Sequence, residues 1–193
     1  MKSLVILVVF VGLAYGQVPT PCETPTIWEA REAEVDRADN FERFAKISYD
    51  EVNRRIRRIE ELDIGSDKDY YDELFLFDEF RMYRLNLRTR QCNVTGLSRP
   101  WHPYGIPPEA TFDGEAYIGA SATNEGVLVT RWTGKFFETD YYVGVFTQPG
   151  CVPVLFDTYY SSSKRFVSRT FYDVTLGISD PNKFVPPSEC STV

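Results

Sequence analysis

Residues 150–190, GCVPVLFDTYYSSSKRFVSRTFYDVTLGISDPNKFVPPSEC, constrain the fold of this chain more than any other stretch. They contain two segments of β type, 152–160 and 165–176, separated by a polar turn at 161–164. Period-two alternation bounded by turn residues is typical of an antiparallel hairpin. A cysteine stands near each end of the stretch. This hairpin is therefore predicted to be tied to distant parts of the chain.

The alternation also assigns side chains to the faces of the hairpin. On the first segment, Val152, Val154 and Phe156 share a face. On the second segment, one face carries Phe166, Tyr172, Val174 and Leu176, and the other carries Arg169 and Asp173. The second strand is thus predicted to have an apolar face and a charged face.

Residues 1–16 have the features of a secretory signal peptide. Lys2 precedes an apolar run at residues 4–14, and the segment ends in Ala14-Tyr15-Gly16. The run is too short to span a bilayer, which takes about 20 residues, and no other segment is apolar enough. We expect a secreted, extracellular protein without a membrane span, in which residues 17–193 form a single domain.

The cysteines fit an oxidising compartment. All four, Cys22, Cys92, Cys151 and Cys190, follow the signal peptide, and their even number predicts two disulfides. Three pairings are possible, and the spacing does not choose among them. No two cysteines are close enough in sequence for a zinc knuckle. The net charge of −7 disfavours nucleic acid as a partner and is compatible with divalent cations.

Nine to eleven short strands with frequent turn signals predict an all-β, antiparallel fold, either a sandwich of two stacked sheets or an open barrel. Residues 52–62 conflict with this reading, because Val52, Ile56, Ile59 and Leu62 have the spacing of an amphipathic helix. Residues 63–73 are rich in acidic side chains, which is typical of a solvated loop.

The sequence lacks a recognisable catalytic set, so we do not expect an enzyme. The only histidine, His102, lies in the proline-rich segment 99–108, where a packed loop histidine is the simpler interpretation. Ser121 lies in GASA, which does not match a nucleophile elbow. No glycine-rich phosphate loop occurs.

Aromatic residues make up 15% of the chain. They are expected either to fill an ordinary core or to line a cavity for a hydrophobic ligand. The candidate lining residues are Phe75, Phe77, Trp132, Tyr142, Phe146, Phe156 and Phe171.

Two further sites are suggested by local sequence. Asn93-Val94-Thr95 is an N-glycosylation sequon, and Asn93 is expected to face solvent at a strand end. Asp173 and Asp180 flank Gly177 and are candidate ligands for calcium, which prefers several oxygen donors.

Several motifs together resemble the ependymin-related proteins, and the resemblance extends over nearly all of residues 17–193. The motifs are Pro21-Cys22 with Trp28-Glu29, Ser48-Tyr49-Asp50, Cys92, Pro100-Trp101, Tyr117-Ile118-Gly119, Val129 with Trp132, Cys151-Val152-Pro153-Val154, Phe171-Tyr172-Asp173, Leu176-Gly177-Ile178, Asp180-Pro181, Phe184 and Pro186-Pro187-Ser188-Glu189-Cys190.

The resemblance implies a secreted glycoprotein, often dimeric, with two stacked antiparallel sheets around a deep hydrophobic pocket. It implies binding of calcium and of lipid-like molecules, and the disulfides Cys22–Cys151 and Cys92–Cys190. It also implies that residues 54–60 form a strand, against the helical spacing noted above. The mammalian pattern has one further pair of cysteines. Neither member of that pair is present in this chain, so no cysteine is left without a partner.

Our first hypothesis is therefore a secreted, non-enzymatic binder of a hydrophobic ligand such as a fatty acid or lipid, with calcium as a modulator and a homodimer as the working form. The alternative hypothesis is a component of extracellular or calcified matrix, or an adhesion protein, that acts through calcium and its acidic surface. The acidic residues 63–73 motivate the alternative.

Overall fold

Eleven antiparallel strands form one sheet in a computed structural model of the protein, which describes residues 19–64, 69–98, 100–121, 125–136 and 139–192. The strands are β1 (Ile27–Asp36), β2 (Phe41–Asp50), β3 (Arg55–Ile64), β4 (Tyr71–Leu76), β5 (Arg81–Asn86), β6 (Cys92–Gly96), β7 (Thr111–Ile118), β8 (Val127–Phe136), β9 (Asp140–Thr147), β10 (Pro153–Tyr160) and β11 (Arg165–Leu176). Two short 3-10 helices follow, Pro181–Phe184 and Ser188–Thr192. The predicted signal peptide lies outside the described residues.

The order of strands across the sheet is β6-β5-β4-β3-β2-β1-β11-β10-β9-β8-β7. Each half of the chain is a meander of neighbouring hairpins, and the pairing of β1 with β11 joins the two halves. The all-β, antiparallel prediction is confirmed, and the two expected layers are parts of one hydrogen-bonded sheet. Residues 37–40, 51–54, 77–80 and 161–164 form four-residue turns between strands. The last residue of each has a positive φ.

Residues 55–64 form strand β3, so the helical spacing of the apolar residues was misleading. Ile56, Arg58 and Glu60 alternate on the buried face of this strand. The alternation of a strand is therefore present, but two of its three buried positions are charged. A pattern search for apolar residues alone finds the helical spacing instead.

The sheet is strongly curved. Strands β4 and β10 are separated by five inter-strand steps in the sheet order, yet residues of both line the same small cavity. Neighbouring strands lie about 4.8 Å apart, so a flat sheet would separate these two by roughly 24 Å. The sheet must therefore fold over itself and enclose a concave face.

An aromatic core fills much of this concave face. Trp28 of β1 stacks on Tyr49 of β2 with a centroid distance of 4.8 Å. Tyr104, from the long connection between β6 and β7, packs against both rings and against Phe156 and Phe171. This proline-rich connection thus sends one side chain into the core.

Two disulfides tie the ends of the chain to the sheet. Cys22 is bonded to Cys151 and Cys92 to Cys190, which is the pairing that the resemblance implies. The second bridge holds the C-terminal segment against the outer face of β4 and β5. An apolar cluster there comprises Leu74, Leu76, Tyr83, Leu85, Phe184 and Cys190.

Strand β11 buries a different face from the one that its apolar residues suggest. Phe166, Tyr172 and Leu176 are exposed, whereas Val167 and Phe171 are buried. Arg169 lies between these two buried residues on the same face, because its guanidinium has ionic partners there. A β-bulge opposite residues 29–31 of β1 shifts the register of the last part of the strand.

Candidate functional site: a cavity at the boundary of two inner surfaces

The register of the sheet divides the concave face into two surfaces. At one end of strands β1 to β4, Trp28, Tyr49, Ile56 and Phe75 lie in successive register across the sheet. One pair of residues further along, the row Ala30, Ile47, Arg58 and Glu73 already contains one positive and one negative side chain. Beyond it lie Glu32, Glu34, Arg43 and Glu60. The inner surface therefore changes from aromatic to charged along the strand direction.

The charged surface is a buried network of arginines and glutamates. Arg43 is its centre, with Nη1 at 2.9 Å from Glu73 and 3.2 Å from Glu60, and Nη2 at 3.1 Å from Glu34. Its side chain is only 8% exposed. The guanidinium donates to all three carboxylates through its terminal nitrogens, which offsets the cost of burying these charges. Its Nε has no hydrogen-bond partner among the described residues.

The pKa values in this network follow from burial and from the arginines. Burial by itself would raise the pKa of Glu34, but Arg169, Arg43 and Arg58 outweigh burial and hold that pKa well below its usual range. Burial dominates at Glu60, whose pKa is raised although Arg43 acts against it. The network therefore contains both a strongly ionised carboxylate and one that protonates more readily.

A cavity of about 170 Å³ lies at the boundary between the two surfaces. Its apolar wall comes from strands β3, β4 and β10 and from the β6–β7 connection. Arg58 and Arg169 enter it from the charged surface. The lining residues are Ile56, Arg58, Phe75, Phe77, Leu97, Pro100, His102, Tyr104, Phe156, Thr158, Tyr160 and Arg169.

Aromatic contacts hold the apolar wall in place. Phe77 packs edge-on against Trp101 at a centroid distance of 5.0 Å, and Trp101 stacks on Tyr49 at 5.5 Å. Phe75 lies 6.4 Å from Phe77. Offset and edge-on ring pairs of this kind contribute about 0.5–1.5 kcal/mol each beyond the area they bury. The wall is thus formed before any ligand enters.

Tyr104 connects the wall to the charged surface. Its hydroxyl accepts a hydrogen bond of 2.8 Å from Nη2 of Arg58, and its backbone N–H donates to the Tyr49 hydroxyl at 3.2 Å. Burial raises the pKa of Tyr104, so the phenol stays protonated at neutral pH. Sequence reasoning did not select this residue, because the proline-rich segment around it predicts an irregular surface loop.

The structure brings three of the seven predicted lining residues to the cavity, namely Phe75, Phe77 and Phe156. The other four, Trp132, Tyr142, Phe146 and Phe171, are buried in the aromatic core. Arg58 and Arg169 were missed as lining residues because the sequence analysis looked for aromatic side chains. Each arginine lies two positions along its strand from buried residues. This period-two spacing was the signal available in the sequence.

His102 lies on the rim of the cavity. Its Nδ1 is 3.0 Å from the carbonyl oxygen of Pro103, and burial lowers its pKa. The same residue borders a wider groove of about 770 Å³ on the other side of the connection, which is lined by prolines, Thr24 and Glu51 among others. Its position matches the packed loop histidine expected from the sequence.

The two carboxylates proposed for calcium have other partners. Asp173 lies 3.7 Å from Nη1 of Arg31, and Asp180 caps the first 3-10 helix by accepting from the backbone N–H of Asn182. Within the described ranges, no group of three or more His, Cys, Asp or Glu side chains is placed to hold a metal ion. Calcium binding at Asp173 and Asp180 stays a prediction.

The acidic stretch at residues 63–73 is only partly a loop. Asp72 and Glu73 belong to strand β4 and are buried, where Asp72 accepts from Arg57 and Glu73 from Arg43. Residues 65–68 lie outside the described part of the chain.

Asn93, the asparagine of the glycosylation sequon, is exposed on edge strand β6. No helix in the described residues is both long and apolar enough to cross a membrane.

These features define a class of protein: a disulfide-tied antiparallel sheet, curved around an aromatic cavity that has a charged floor. A sequence model of the ependymin family matches residues 65–190. The chain is 32% identical over 179 residues to mammalian ependymin-related protein 1 of Rattus norvegicus, covering 90% of this chain and 78% of that one. It is 29% identical to ependymin-2 of Carassius auratus, covering 90% and 80%. The chain belongs to the ependymin family.

A similar fold occurs in a bacterial protein of known structure. A crystal structure of an uncharacterized conserved protein from Thermus thermophilus superimposes with a TM-score of 0.55 over 85% of this chain and 87% of that chain. The two sequences are 11% identical. This likeness concerns the fold alone.

Proposed function

We propose that this protein is a secreted, non-enzymatic binding protein that holds a hydrophobic ligand in the cavity between β3–β4 and β10–β11. The observation that carries the proposal is the pre-formed aromatic wall of Phe75, Phe77 and Phe156 around open space. Small-molecule sites are typically lined by aromatic and apolar side chains, with placed polar groups that fix the orientation of the ligand.

The size of the cavity limits the ligand. An apolar cavity of about 150 Å³ accommodates benzene, so the 170 Å³ here suits a single ring or a short acyl segment. A complete long-chain lipid needs additional space. If the ligand is a lipid, only part of it enters this cavity, and the rest extends past His102 towards the neighbouring groove.

Two observations support a binding role over a catalytic one. The carboxylates nearest to the cavity, Glu32 and Glu34, are each bonded to arginine, so both are held in ion pairs rather than positioned for proton transfer. His102 makes its close contact with a backbone oxygen and has a lowered pKa. The matrix hypothesis loses part of its basis, since two of its acidic residues are buried in β4.

Secretion and glycosylation belong to the same proposal. Two disulfides suit an oxidising compartment, and exposed Asn93 is available to a glycosyltransferase. We also expect homodimers, for which the exposed rings of Tyr141, Tyr159 and Phe166 offer an apolar surface on the convex face. Light scattering of the purified protein measures this directly.

Binding is tested with indole, an uncharged ring that fits the cavity. Isothermal titration calorimetry on the full secreted protein is expected to show one equivalent bound. Leu97→Trp fills the cavity from the half-buried position 97 and is expected to abolish binding. Val52→Trp places the same ring at a position that is 66% exposed and serves as the matched control. Equal titration curves for the two variants would place the ligand elsewhere and end the proposal.

A further inference from the structure

Arg169 presents unused hydrogen-bond donors to the cavity. Its Nε donates to Glu34 at 2.7 Å, and the same nitrogen lies 3.5 Å from Glu32. A guanidinium has five N–H groups, four of them on the terminal nitrogens. No acceptor within the described part of the chain is bonded to those terminal nitrogens. The side chain is 12% exposed and lines the cavity, so a molecule in the cavity can reach these donors.

Arg58 is arranged in the same way. Its Nε and Nη2 bond to the two oxygens of Glu32 at 2.6 and 3.2 Å, and Nη2 also donates to Tyr104. Nη1 has no bonded acceptor among the residues described. The side chain is 8% exposed and also lines the cavity. Two guanidiniums therefore direct spare N–H groups toward one small volume.

We propose, building on the function proposed above, that the ligand is a small monocarboxylate whose ring or short chain packs against Phe75, Phe77 and Phe156 and whose carboxylate binds Arg169 and Arg58. Arginine binds carboxylates through two parallel hydrogen bonds, and charge-assisted bonds are about twice as strong as neutral ones. The apolar body selects for size, and the carboxylate fixes the orientation.

The test compares phenylacetate with its neutral isostere phenylacetamide on the full wild-type protein by isothermal titration calorimetry at pH 7. Phenylacetate is expected to bind at least about tenfold more tightly, because only the acid makes charge-assisted bonds with both arginines. Equal affinities would overturn the carboxylate and leave the hydrophobic binding function standing. If neither compound binds, and indole also fails to bind, both proposals fall.

A variant pair locates the carboxylate. Arg169→Lys keeps the charge beside Glu34 but removes the planar fork, so the preference for the acid is expected to fall to about threefold or less while indole binding persists. Arg31→Lys, on the opposite face of the sheet, is the matched control and is expected to retain the full preference. If Arg169→Lys does not fold, the wild-type comparison alone decides the proposal; an unchanged preference in a folded Arg169→Lys protein would overturn it.

Discussion

Replacing Arg43 by methionine removes the centre of the buried network. Methionine replaces the aliphatic part of the arginine side chain but carries no charge and no hydrogen-bond donor. It leaves Glu34, Glu60 and Glu73 facing each other with side chains that are 11%, 3% and 7% exposed. These carboxylates lose three hydrogen bonds of 2.9–3.2 Å.

The expected loss of stability at pH 7 is about 3–5 kcal/mol, the usual effect of removing one partner of a buried ion pair. The loss depends on pH. Without Arg43, burial and mutual repulsion raise the folded-state pKa of Glu60 further and weaken the depression at Glu34. A carboxyl group with a raised pKa in the folded state stabilises the fold below its unfolded-state pKa and loses that contribution as pH rises. The deficit should therefore shrink from pH 7 towards pH 4.5.

Urea unfolding followed by tryptophan fluorescence at pH 4.5, 5.5 and 7 measures both effects. Arg31→Met is the matched control, since Arg31 is 48% exposed and its contact with Glu61 is 3.4 Å long. Exposed ion pairs of this kind contribute about 0–1 kcal/mol, and the control should show little pH dependence. A deficit for Arg43→Met below about 1 kcal/mol, or one that is the same at all three pH values, would refute the account of the network.

Three other predictions concern the framework. The double substitution Cys22→Ser/Cys151→Ser opens a bridge with a sequence separation of 129, and urea unfolding should show a loss of about 5 kcal/mol by the loop-closure relation; a loss below about 1 kcal/mol would contradict that relation. Gly144→Ala places a Cβ 2.5 Å from the ring of Phe146, and thermal unfolding should report a destabilisation of about 1–3 kcal/mol, which an unchanged melting temperature would exclude. Asn93→Gln should lower the mass of the protein from a eukaryotic secretion host by one glycan without changing its fold; an unaltered mass would show that the sequon is unused.

The strands were predictable where apolar and polar residues alternate in the ordinary way. The hairpin of β10 and β11 follows directly from its two alternating segments and the polar turn between them. Residues 152 to 160 and 165 to 176 match the observed strands within one residue at each end. Local sequence specifies a hairpin because its contacts are close in sequence.

The charged inner surface was not predictable in the same way. Arg58 and Arg169 lie on buried faces only because glutamates on neighbouring strands meet them, and that meeting depends on the register across β1, β2, β3 and β11. An apolar residue indicates burial by itself, whereas a charged residue is buried only when its partner is also in place. The partners of Arg169 stand 135 and 137 positions earlier in the sequence, so no local pattern reveals them.

The position of the cavity follows from the division of the concave face. Strands β1 to β4 present aromatic or aliphatic side chains at one end and charged ones at the other, as Trp28 and Glu34 do on β1. Apolar side chains pack without directional demands, but ion pairs require fixed distances and angles. A line along which the two kinds of packing meet is difficult to fill completely. The cavity lies on this line, between Phe75 and Phe156 on one side and Arg169 on the other. Its occupant must match both surfaces, which favours an amphipathic molecule with a defined orientation over a purely apolar one.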